Sequence, residues 1–210
     1  MKYRHIYPSL ITAFLATNAS AALSWTGGGD SISLYQEANW QEDDGSALEA
    51  NEINGNALVA ADTGGEIRIE TGSGSPSNFS GDFLIGANHL IISNKTLRSV
   101  AATTDIIGTT GAALTINSGG VLSLAGTISG FNGSGNINVS GGSLTSTGEI
   151  NVSGSALNVT NGGTVETDGI RIAGVSTWDS GSVTLNDVNP FRTGGVVSSS
   201  NSFNITAGAG

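Results

Sequence analysis

Two small sets of charged residues stand out in a chain that is otherwise poor in charge. Glu166, Asp168 and Arg171 fall on adjacent strand-like stretches, and Glu66, Arg68 and Glu70 alternate along a single one. In the second set the spacing of two puts all three side chains on one face, opposite Ile67 and Ile69. Paired carboxylates beside an arginine can serve as general acid and base, or can hold calcium. The plainer reading is a solvated face whose ion pairs are worth ~0–1 kcal/mol each. The chain has no cysteine, and its two histidines, His5 and His89, lie far apart. Disulfides, thiol catalysis and Cys-based or multi-His zinc sites are therefore excluded within one chain. A Ser-His-Asp triad would have to use His89, with no G-x-S-x-G elbow to present the serine. Asp43-Asp44-Gly45 lacks the EF-hand spacing, and no G-G-x-G-x-D repeat is present to bind ions between coils. No catalytic set, metal site or cofactor is expected.

Trp178 is the single candidate for ligand binding. In one register it points inward beside Val159 and fills the core. In the other, Val175 and Thr177 point inward, and an outward Trp178 stacks on a sugar ring. Ice binding would need registered Thr ladders. Thr145-Ser146-Thr147 has no matching T-x-T in neighbouring coils.

The elements that must position these residues are written as a repeat. Leu114–Leu122, Ile137–Leu144, Leu157–Val165 and a degenerate Val175–Val183 each show an apolar-polar-apolar run, a polar turn with Gly-Gly or Ser-Gly, and another apolar residue. The Gly-Gly pairs begin at Gly119, Gly141 and Gly162. A further strand recurs at Ile128, Ile150 and Ile170. Period-two alternation places every second side chain on one face, and Gly or Asn tolerates the positive φ of tight corners. One such coil cannot bury its apolar face alone, whereas stacked coils can. The expected columns are Leu114, Ile137, Leu157 and Val175; Ile116, Val139 and Val159; Leu122, Leu144, Val165 and Val183; and Ile128, Ile150 and Ile170. Thr115, Asn138 and Asn158 would form an outward polar ladder. The predicted fold is all-β, a right-handed parallel β-helix of ~21-residue coils with an N-terminal cap. A β-sandwich is the competing architecture. Weaker copies at Ile67–Glu70, Phe83–Ile85, His89–Ile92 and Leu97 put the start near Asn56, which leaves room for about six or seven coils.

Composition supports this reading. Gly, Ser, Thr and Asn supply 100 of 210 residues, and charged residues only 11%. A net charge of −10 argues against nucleic acid as a partner, since phosphate binding needs a basic face. Residues 1–21 have the parts of a secretory signal: Lys2 and Arg4, an apolar stretch from Leu10 to Ala16, and Ala19-Ser20-Ala21 as a cleavage site. No later stretch is apolar enough for a transmembrane helix. The domain plan is a signal peptide at 1–21, a cap at 22–55 and the repeat domain at 56–210. The cap segment carries Trp25, Tyr35 and Trp40 with seven acids and no base. Ser46-Ala47-Leu48-Glu49 has capping-box spacing. The two tryptophans would cover the apolar end of the stack, whose bare strand edges otherwise invite association.

Trp25-Thr26-Gly27-Gly28-Gly29-Asp30 followed by Glu37-Ala38-Asn39-Trp40 resembles the opening of exported, repeat-rich β-helical surface proteins of Gram-negative bacteria, of autotransporter-passenger and PEP-CTERM-associated type. The resemblance covers about 16 residues closely and much of 56–190 loosely. It implies export to the outer cell surface or beyond. A sorting helix with a basic tail and an outer-membrane barrel are both missing from the pattern. Polysaccharide lyases and hydrolases also use parallel β-helices, but these coils lack the long insertions that build a cleft. The expected role is non-catalytic: a secreted structural or adhesive protein of the bacterial surface or matrix, with a polysaccharide or matrix partner. The alternatives are a carbohydrate-active β-helix, either a glycan-binding module or a lyase-type enzyme, and a filament subunit that self-associates through its solenoid ends.

Overall fold

The computed structural model describes residues 22–25, 37–42, 57–60, 64–69, 77–79, 81–99, 101, 104–152, 154–186, 191–193, 196–198 and 204–207. The signal segment, Ser46–Glu49, Asp43–Gly45 and Glu70 lie outside these residues. Within them the chain is a parallel β-solenoid, as the repeat predicted, and no α-helix is present. Among the described residues no helix is long and apolar enough to cross a membrane.

Each coil runs through three faces. The first face is a five-stranded parallel sheet of Glu66–Ile69, His89–Ile92, Ala113–Ile116, Ile137–Ser140 and Leu157–Thr160. The second stacks Ser77–Phe79, Thr96–Ser99, Val121–Leu124, the first half of Ser143–Val152, the first half of Thr164–Ile172, Ser182–Leu185 and Asn204–Ala207. The third stacks Ala57–Ala60, Phe83–Gly86, Ile106–Gly108, Ile128–Ser129, the second halves of the two long strands and Phe191–Thr193. The first face counts five turns. The bridge Val159↔Trp178 and the pairing of Val175–Thr177 with Val196–Ser198 carry the stack further. Register partners such as Thr164↔Ser182, Val159↔Trp178, Ile137↔Leu157, Leu114↔Ile137 and Thr96↔Val121 show coils from 18 to 25 residues long. The spacing near 21 inferred from the Gly-Gly pairs is thus a mean of unequal turns.

Alternation within these strands builds the expected core. Leu122, Leu144, Val165 and Val183 are register partners, as are Ile128, Ile150 and Ile170, and all are buried. Burying one such side chain contributes roughly 1.5–3 kcal/mol. One column differs from expectation. Leu114, Ile137 and Leu157 are followed by Ser176, not Val175, because Trp178 pairs with Val159. Val175 instead turns outward and is 69% exposed. Ser176 is buried in its place, and its Oγ accepts the Leu157 N–H at 3.0 Å.

The corner between the first and second faces explains the paired glycines. Asn94, Gly119, Gly141, Asn161 and Ser180 all have positive φ here. After Gly119, Gly141 and Ser180 the next residue is glycine for a separate reason, close approach to the preceding coil. A Cβ on Gly142 would lie 2.5 Å from Ile116 Cγ2 and 2.6 Å from Asn117 O of the preceding coil. The corner between the second and third faces is braced by hydroxyls. Buried Ser146 donates to Gly126 O at 2.5 Å, and buried Thr167 donates to Gly148 O at 2.6 Å. Both satisfy carbonyls that the bend takes out of the ladder. Carboxylates do the same for N–H groups one turn on, with Asp82 capping Asp105 and Asp105 capping Thr127.

At the N-terminal end, Ala22–Trp25 pairs in parallel with Ala57–Ala60 and antiparallel with Trp40–Glu42. Trp40 is buried, with its ring 6.2 Å from that of Phe83. A strand placed in the cap segment therefore already belongs to the stack, upstream of the start drawn at Asn56.

Candidate functional site

The first face carries the ladder foreseen for Thr115, Asn138 and Asn158, and its polar groups are bonded to one another. The Thr177 N–H donates to Asn158 Oδ1 at 2.9 Å. Asn158 Nδ2 donates to Asn138 Oδ1 at 2.9 Å, and Asn138 Nδ2 reaches Thr115 Oγ1 at 3.5 Å. Thr115 Oγ1 lies 2.8 Å from His89 Nε2. Burial pushes His89 below the ordinary histidine value of 6.5, opposed by the Glu66 carboxylate and assisted by the Arg68 charge. A neutral ring can accept the Thr115 proton at Nε2, so donor and acceptor roles run in one direction along four turns.

Glu66 and Arg68 share the outward side of their strand as the alternation required, opposite buried Ile67 and Ile69. Arg68 Nε and Nη2 both donate to Glu66 Oε2, at 2.8 and 2.5 Å. With side chains 34% and 45% exposed, this pair is worth ~0–1 kcal/mol.

Glu166, Asp168 and Arg171 are all exposed, but they are not brought together as one group. Gly169 and Ile170 are both buried, which breaks the alternation and turns the chain from the second face to the third. The two acids leave one face and the arginine leaves the other. Among the described residues Arg171 makes no ion pair with either acid, while Glu166 Oε1 accepts from Asn186 Nδ2 at 3.4 Å. No cluster of three or more His, Asp or Glu suited to a metal ion occurs among the described residues.

Trp178 is 1% exposed, and its indole N–H donates to Leu157 O at 2.8 Å. The inward register is the one adopted. The sugar-platform role considered for Trp178 is corrected accordingly, because a ring sealed beneath the coil offers no face to a ligand. The physical reason is packing: the degenerate last repeat needs a large side chain where Val159 has no aliphatic successor.

The second face is what the sequence reading missed. Its outward positions fall into two registered columns: Thr96, Val121, Ser143, Thr164 and Ser182, and Arg98, Ser123, Thr145, Glu166 and Thr184. The hydroxyls of Ser123, Ser143, Thr145, Thr164, Ser182 and Thr184 make no side-chain hydrogen bond among the described residues. The signal was present in the polar residues that flank Leu122, Leu144, Val165 and Val183. The columns are made of Ser-x-Thr and Thr-x-Glu pairs, not of a strict T-x-T, and only register aligns them.

No family model, no curated protein and no solved structure matches this chain.

Proposed function

We propose that this protein is a secreted, non-catalytic structural or adhesive component of the cell surface or extracellular matrix of a Gram-negative bacterium. The observation that carries the reading is the outward side of the rod. Among the described residues its polar side chains form registered columns along the stack. The acids and arginine best suited to catalysis leave different faces at the Gly169 corner. A rigid stack with repeated polar columns suits weak contacts multiplied along a length. The sequence adds a segment at residues 1–21 patterned like a secretory signal, and the resemblance of Trp25–Trp40 to exported surface proteins.

The test is incubation of the purified full-length protein with a panel of polysaccharides, following retention and product release in the same tubes. Cell fractionation of the source bacterium accompanies it. Expected are recovery outside the inner membrane and no released product. Release that disappears in Glu166→Gln or Arg171→Ala would overturn the reading in favour of an enzyme.

A further inference from the structure

The first and second faces differ in what their outward groups have left to offer. On the first, the amides of Asn138 and Asn158 spend their donors and acceptors on each other and on Thr115 and Thr177. On the second, Ser143, Thr164 and Ser182 in one column, and Ser123, Thr145 and Thr184 in the other, have no side-chain partner among the described residues. The two columns repeat every ~4.8 Å along the stack and stand ~6.6 Å apart across it. That repeat is close to the rise of one sugar in an extended β-linked chain. A chain laid along the axis would meet at least one hydroxyl at each of these turns, and a pair at Ser143/Thr145 and at Ser182/Thr184.

Charge narrows the occupant. Along the stack the two columns carry two opposite charges, Arg98 and Glu166, and so no net charge that would select a charged chain. The chain as a whole stands at −10, so an acidic polysaccharide is disfavoured. The only aromatic once considered for sugar stacking, Trp178, is sealed inside. Recognition on this surface therefore rests on hydrogen bonds repeated along the length, with strength growing with chain length.

We infer that the second face is the contact surface, and that its ligand is a neutral, extended β-linked polysaccharide lying along the solenoid axis with about one sugar to a coil. The inference rests on the adhesive reading above and assigns it a face and a ligand class.

The experiment is co-sedimentation of the full-length protein with microcrystalline cellulose, with affinity electrophoresis in a soluble neutral β-glucan and in polygalacturonate. The triple variant Ser143→Ala/Thr145→Val/Thr164→Val removes hydroxyls and keeps strand-forming side chains. It is expected to weaken neutral-glucan binding at least tenfold. Thr177→Val on the first face, whose contact to Asn158 is through the backbone, is expected to stay within twofold. Melting curves accompany both, and if the triple variant melts early, Thr145→Val and Thr164→Val are measured singly. Absence of retention by the wild type overturns the inference, as does equal binding by the hydroxyl variants or preference for polygalacturonate. Ice shaping by the wild type that the hydroxyl variants lose, without glucan retention, overturns it in favour of ordered water. Product release would instead sink the adhesive reading itself, so the two failures are distinct.

Discussion

The first and second faces are built on the same strand geometry and the same coil spacing, yet one closes its polar surface and the other leaves it open. The difference follows from side-chain reach. Neighbouring coils stand ~4.8 Å apart, while a hydrogen bond needs about 2.7–3.2 Å between heavy atoms. An asparagine amide carries a donor and an acceptor on one arm and can span the gap, as Asn158 does to Asn138 at 2.9 Å. Serine and threonine hydroxyls stacked one above another are too short to do so, and they remain available to whatever lies outside. Where a hydroxyl on the first face is bonded to the next coil, an amide supplies the reach: Asn161 Nδ2 donates to Ser140 Oγ at 2.8 Å, and Asn138 Nδ2 reaches Thr115 Oγ1 at 3.5 Å. Residue type at the outward positions thus decides whether a face braces the rod or presents a surface.

The sharpest way to break this comparison is to remove what holds the first face shut from within. Trp178→Ala deletes a fully buried ring and its bond to Leu157 O. A loss of about 3–5 kcal/mol is expected in urea denaturation. If that loss is absent, the indole does not pack as described. Gly142→Ala, at the corner that joins the two faces, forces a Cβ against Ile116 and Asn117 O. About 1–3 kcal/mol should go, and thermal unfolding would register it. Asn158→Ala cuts two ladder bonds on the first face. About 1–2 kcal/mol is expected, and a double-mutant cycle with Asn138→Ala should show coupling.

His89 gives the first face a pH dependence. Its folded value lies below the ordinary 6.5, mainly through burial, so the unfolded chain binds the extra proton first. Stability from this group is complete above pH 6.5 and falls as pH drops from 6.5 toward the lower folded value. His89→Gln should flatten that part of the stability–pH curve; an unchanged slope would remove His89 as its source. Smallest of all in stability is Thr145→Val on the second face, expected within about 0.5 kcal/mol. A large destabilisation there would mean that the open face also braces the rod.

Much of the architecture was legible because alternation and glycine placement are local signals. Leu122, Leu144, Val165 and Val183 were readable as one column because each follows a Gly-Gly or Ser-Gly pair at a near-constant offset. Val175 was misplaced because the last repeat is degenerate. A one-residue shift in register moves a side chain to the opposite face, and a short strand ending in Trp178 does not announce which shift it takes. The grouping of Glu166, Asp168 and Arg171 failed for a related reason. Their spacing looks close in sequence, but two consecutive buried residues at Gly169 and Ile170 turn the chain between them.

What the sequence determined by itself was the periodic pattern: parallel strands, glycine corners, apolar columns and an outward Thr115–Asn138–Asn158 ladder. These depend on neighbours along the chain or on repeats that restate the same choice. What only the tertiary structure decided was register between unlike coils, and with it the burial of Trp178, the exposure of Val175 and the alignment of the second-face hydroxyls. Coils of 18 to 25 residues differ in their turns, and no local rule says where an extra residue is absorbed. That is settled by which side chains fill the interior once the turns are stacked.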